Sequence, residues 1–120
     1  MPVTSTKIGT YGLTIVSAGD PNHLAATIWL FDTKGKALAF LGFYRPDAVM
    51  PANEFRTDLD HAIVSCPFDA FAPTVDMLRN EKPTYFTWFD YSPTNCFGAI
   101  ETGREPVGEA ERLPTLGLRP

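Results

Sequence analysis

The chain has 120 residues, enough for one domain that buries a core without disulfide bonds or a structural metal. Its 14 acidic and 10 basic side chains give a formal net charge of −4, which disfavours strong nonspecific binding to phosphate backbones. No run approaches the ~18 apolar residues of a membrane span, and the amino terminus lacks the pattern of a signal peptide. We therefore expect a cytoplasmic protein that does not bind membranes and whose two cysteines, Cys66 and Cys96, are reduced.

The first half of the chain predicts three strands. Alternating side chains indicate a strand over Lys7–Ser17, in which Gly9 and Gly12 mark a bend, a bulge or a close neighbour. The next two strands, Leu24–Asp32 and Lys36–Arg45, flank a short turn that contains a glycine. They are therefore predicted to form a β-hairpin.

Both alternating faces of this hairpin are apolar. In its first strand, one face carries Ala26, Ile28 and Leu30, and the other carries Thr27, Trp29 and Phe31. A strand with one face in water alternates apolar and polar side chains instead. Something must therefore cover both sides of this part of the sheet.

The segment Pro46–Asp60 is a long polar connection that either is functional or contains a short strand near Glu54–Thr57. A further strand is predicted at His61–Cys66. The pattern then changes to a helical stripe of apolar residues formed by Phe68, Phe71, Val75 and Leu78. This stripe predicts a short turn over 68–71 followed by a helix with Pro73 in its first turn.

The remaining elements are an aromatic strand, a returning strand and a tail. Thr84–Tyr91 is the aromatic strand, and Cys96–Thr102 returns after a turn. Residues 1–103 are predicted to form the single domain. The segment 104–120 is predicted to be a tail that is mobile or docked on a partner.

The predicted fold class is α+β, with an antiparallel sheet of five to seven strands in the order β-β-β-β-α-β-β and one principal helix. One helix of about three turns covers only part of one sheet face. The other apolar face is closed either by curling into a half-barrel or by a second subunit. We therefore expect a non-enzymatic binding or assembly protein that acts as a homodimer.

An alternative function is binding of single-stranded nucleic acid, because aromatic side chains on a sheet can stack on unpaired bases. The candidate stacking residues are Tyr85, Trp88 and Tyr91. The candidate phosphate contacts are Arg45, Arg79 and Lys82.

A second alternative is a small enzyme or ligand-binding barrel with its site near Asp58, Asp60 and His61. The spacing of these residues matches no established metal motif. His61 and Cys66 should point to opposite faces of a strand, which disfavours a nucleophile–base pair. The sequence contains no glycine-rich phosphate loop or catalytic motif, and we expect no cofactor and no metal.

Overall fold

The computed structural model describes residues 3–16 and 21–103; the tail predicted for 104–120 lies outside this part of the chain. The described residues form seven strands and one α-helix. The bounds are β1 (Val3–Ile15), β2 (Leu24–Asp32), β3 (Ala37–Tyr44), β4 (Glu54–Arg56), β5 (His61–Pro67), a 3₁₀ turn (Phe68–Ala70), α1 (Phe71–Asn80), β6 (Thr84–Ser92) and β7 (Asn95–Thr102). The α+β class is confirmed, and β4 is the short strand that the sequence left open.

The seven strands form one sheet in the order β4-β5-β3-β2-β1-β6-β7. The prediction of a purely antiparallel sheet is wrong, because β3 and β5 run parallel, with Ala39 opposite Ala62. Parallel neighbours need a crossover of about a dozen residues or more, and the connection from Tyr44 to His61 is long enough. The same connection contains β4, which pairs antiparallel with β5.

Strand β1 joins the two parts of the sheet. Its residues Val3–Lys7 pair with β6, whereas Ile8–Ile15 pair with β2. The register shifts between Ile8 and Thr10, and a side chain at Gly9 would lie 2.5 Å from the backbone oxygen of Asp32. The bulge and close contact expected of Gly9 are therefore present, and the sheet curls into a half-barrel around this strand.

The concave side of the half-barrel holds the core. The side chains of Ile28, Leu30 and Phe43 are 0 % exposed. Helix α1 covers this side, with the Phe71 ring centroid 5.2 Å from that of Phe43. Pro73 lies in the first turn of α1 as predicted, where its missing N–H leaves no helical bond unmade.

The two ends of the curled sheet approach each other through side chains. The Ser65 N–H donates to Asn53 Oδ1 (2.8 Å), and Asn53 Nδ2 donates to the Cys96 carbonyl oxygen (3.2 Å). At Gly98 on β7, an added Cβ would lie 3.1 Å from Cγ2 of Val64 on β5. The interior is therefore bounded by β5 on one side and β7 on the other.

Candidate functional site

The convex side of β2, β3 and β5 carries aromatic rings that α1 does not cover. The Trp29 ring lies 4.9 Å from Phe40, 6.4 Å from Phe31 and 5.1 Å from His61. We call these four residues the convex cluster. Its Trp and Phe side chains are half-buried, whereas His61 is 9 % exposed. Ile63 extends the cluster, because it is paired with Phe40 across the β3–β5 ladder.

The three aromatic residues predicted to stack on bases do not share a surface. Trp88 faces the concave side and is only 6 % exposed. Tyr85 and Tyr91 lie on the opposite face of β6, as the strand alternation predicted. Tyr91 belongs to a second aromatic group with Phe89 and Phe97, whose ring centroids are 4.7 to 6.2 Å apart.

Two of the three predicted cations come together. Arg79 and Lys82 line a trough of about 820 Å³ between β1 and the carboxy-terminal end of α1. Lys7 also lines this trough, and sequence reasoning did not single it out because its position depends on the pairing of β1 with β6. Arg45 is not among the residues of this trough; its Nη1 donates to the Leu24 carbonyl oxygen at 3.3 Å.

The structure separates Asp58, Asp60 and His61. Asp58 is bound by the guanidinium of Arg56 at 2.9 and 3.1 Å, which holds the pKa of its carboxyl below the ordinary value. Asp60 pairs with Lys36, whose Nζ lies 3.0 Å from its Oδ2. His61 turns to the convex side. Residues 3–16 and 21–103 contain no group of three side chains arranged to hold a metal ion.

The two cysteines are free thiols. Cys66 packs against the core, on the face of β5 opposite His61, as predicted. Burial raises the pKa of its thiol to about 11, and burial also raises the pKa of Cys96. Neither environment favours the thiolate, so the described structure provides no activated sulfur nucleophile.

The concave side is open at the end occupied by Trp88. A cavity of about 170 Å³ lies there, which we call the mouth; it is lined by Thr4, Thr6, Lys36, Leu38, Phe55, Asp60, Phe86 and Trp88. The indole Nε1 of Trp88 is buried and has no hydrogen-bond partner within the described ranges. Of the three residues expected at a barrel mouth, Asp60 is present. Thr4 and Thr6 were missed because the sequence predicted β1 to begin only at Lys7.

No helix in the described part of the chain is long and apolar enough to cross a membrane. The chain matches no protein-family model, no curated protein and no solved structure.

Proposed function

We propose that this protein is a non-enzymatic cytoplasmic binding or assembly protein that acts as a homodimer, and that two copies meet through the convex cluster. One observation carries the proposal. The strands β2 and β3 bury their concave side chains under α1 but leave Trp29, Phe31 and Phe40 only partly buried on the convex side. Exposed apolar patches with a polar rim are typical of protein interfaces.

The composition of the convex cluster suits an interface core. Tryptophan is among the residues that contribute most to binding energy when they are central and desolvated. Trp29 is the centre of the cluster, since it contacts each of the other three rings. Burying it in a second copy would remove apolar area from water on both subunits.

The charges beside the convex cluster favour a second copy as the occupant. Arg56 is opposite His61 in the β4–β5 ladder and is paired with Asp58. Lys36 is paired with Asp60. Because each of these cations already has its anion, two identical rims can approach without strong like-charge repulsion. A two-fold contact between identical patches is the commonest oligomer geometry.

Sedimentation velocity at micromolar concentration tests the homodimer. We expect a dimer for the natural chain and a folded monomer for Trp29→Asp. The matched control is Phe97→Asp, which places the same charge in the second aromatic group, where Phe97 is 40 % exposed. This control should remain dimeric. A natural chain that sediments as a well-folded monomer overturns the proposal.

A second candidate function is binding of single-stranded nucleic acid, favoured by the cations of the trough. Lys7, Arg79 and Lys82 line the trough together with Tyr11, an aromatic residue of the kind on which bases stack. Glu81 also lines the trough and opposes this attraction.

Fluorescence anisotropy of a labelled oligothymidylate tests this second function at low salt, where the electrostatic contribution is largest. Lys82→Ala should weaken binding and reduce its salt dependence. The control is Arg45→Ala, because Arg45 lies outside the trough and should leave binding unchanged. Absence of binding at low salt rejects this function.

A further inference from the structure

An apolar groove on the concave side separates α1 from β7. Its volume is about 220 Å³. Its floor is formed by Leu41, Val64 and Phe86, each of which is at most 6 % exposed. Met77 lines it on the side of α1, and Ile100 lines it on the side of β7. The groove therefore lies directly over core residues, between the helix and the last strand of the sheet.

The surface of the groove selects an apolar occupant. None of the described residues that line it is charged. The hydroxyl of Thr74 belongs to its helical side, but this group already donates to the Ala70 carbonyl oxygen at 2.7 Å. Met77 and Ile100 remain only partly buried, so covering them would remove further apolar area from water. A charged occupant would instead lose its hydration without gaining a partner.

The chain carries a segment of matching composition beyond the described residues. Residues 113–118 (LPTLGL) contain three leucines and no charge. The residues that connect this segment to β7 are different, because five of the nine residues 104–112 are charged. Charged side chains of this kind favour water, whereas leucine is among the residues most often buried. The leucine segment is therefore the part of 104–120 that suits the groove.

The place where the described residues end puts this segment within reach of the groove. Gly103 follows β7 directly and comes three residues after Ile100. A strand rises about 3.3 Å per residue, so Gly103 lies about 10 Å from Ile100. When extended, residues 104–112 span up to about 30 Å, which is enough for the chain to turn back. From these observations we infer that residues 113–118 dock in the groove of their own chain, with leucine side chains against Met77 and Ile100.

The covalent connection favours this segment over a separate peptide. A short flexible linker gives a tethered segment an effective concentration on the order of millimolar. A separate peptide also loses translational and rotational freedom when it binds. The volume of about 220 Å³ suits one or two leucine side chains, because an engineered apolar cavity of about 150 Å³ in another protein holds benzene. The docked segment would complete the cover of the concave side that α1 begins.

Methyl nuclear magnetic resonance of the full chain tests the inference. The chain contains three methionines, so Met77→Leu identifies the methyl resonance of Met77. With ¹³C labels on methionine and leucine methyl groups, we expect nuclear Overhauser cross-peaks between Met77 and the leucines of 113–118. These cross-peaks should disappear in the double variant Leu113→Asp/Leu116→Asp. The matched control Val107→Asp/Ala110→Asp adds the same charge within 104–112 and should retain them.

A mixed sample identifies the chain that supplies the segment. One batch is labelled only at methionine and the other only at leucine, and the two are unfolded together in urea and refolded. We expect no cross-peak in this sample, because the contact lies within one chain. A cross-peak there overturns the inference, since a second copy then supplies the segment. The inference is also overturned if no cross-peak of the doubly labelled chain depends on Leu113 and Leu116, or if the control variant loses it equally. Sedimentation measures the homodimer separately.

Discussion

The two faces of β2 and β3 are built from similar residues and end in different surroundings. On the concave face, Ile28, Leu30 and Phe43 are fully buried against α1 and the neighbouring strands. On the convex face, Trp29 and Phe40 pack against each other but remain only partly buried. This difference shows that apolar residues on a strand face require the face to be covered but do not determine which element or molecule covers it. Here the single helix covers one face, and we propose that a second copy covers the other.

The largest expected effect comes from truncating a phenylalanine on each face of β3. Phe43→Ala leaves a cavity under α1 and should lower the free energy of unfolding by about 3–5 kcal/mol. Phe40→Ala should cost about 1–2 kcal/mol in the monomer, because its ring is only half-buried. Urea unfolding followed by circular dichroism, at a protein concentration at which sedimentation shows a monomer, measures both. Equal losses would mean that the two faces are equally covered.

A second comparison adds one methyl group to each face. Gly98→Ala would place Cβ 2.7 Å from the Phe86 ring on the concave side, so overpacking should cost about 1–3 kcal/mol. Gly12 on the convex face has nothing within 4 Å of the added Cβ. Gly12→Ala should therefore be neutral or stabilise the chain by up to about 1 kcal/mol, through the unfolded state. Thermal melts would contradict the comparison if both variants lost stability equally.

The reactivity of the Cys66 thiol measures how well the concave side of the sheet is protected from solvent. Its pKa is raised from 9.0 to about 11, so at about pH 8 its thiolate fraction should be roughly a hundredfold below that of the unfolded chain. We expect labelling by a thiol reagent to be slowed by at least this factor, with Cys96→Ser used to isolate the Cys66 signal. Labelling at the unfolded rate would show that the concave side opens readily.

The same pKa shift makes stability depend on alkaline pH. Below pH 9.0, the thiol pKa of the unfolded chain, Cys66 is protonated in both the folded and the unfolded state, and its contribution to stability is complete. As the pH rises from there towards the folded pKa of about 11, only the unfolded chain loses the proton readily, so the folded state loses stability. Cys66→Ala should remove this part of the pH dependence. Unfolding curves recorded across that interval check it, and an unchanged dependence in the variant would contradict the assignment to Cys66.

The smallest expected effect concerns the turn between β2 and β3, which helps to set the register of these two strands. Asp32 Oδ1 accepts the N–H groups of Lys36 and Lys34, each at 2.8 Å, and the Lys36 bond is the main cause of its lowered pKa. The stability that these hydrogen bonds contribute should be present above pH 3.8, the ordinary pKa of the carboxyl group. It should be lost as the pH falls through the lower pKa that Asp32 has in the folded state. Comparing the acid unfolding of the natural chain with that of Asp32→Asn measures it. Identical acid dependences would exclude the role of this turn.

Much of the local structure could be predicted because it depends on short-range patterns. The two apolar segments that flank a glycine-containing turn indicated β2 with its observed bounds, and the stripe of Phe71, Val75 and Leu78 indicated α1. The parallel pairing of β3 with β5 could not be predicted in this way, since the partner that a strand takes depends on contacts between distant segments. The first residues of β1 were missed for a related reason: Val3–Lys7 are polar in composition and are held by β6, far away in sequence.

The candidate sites likewise combine features that the sequence predicted with features that only the fold decided. Sequence reasoning identified the aromatic strand and its alternation, yet only the curled sheet decided that Trp88 is enclosed while Tyr91 is exposed. It identified Arg79 and Lys82, but the pairing of β1 with β6 brought Lys7 beside them. By itself, the sequence determined most of the strands, the helix and which of their side chains share a face, because backbone geometry fixes these over a few residues. Tertiary structure alone decided which face α1 covers and where the sheet stays open, because these depend on contacts between distant segments.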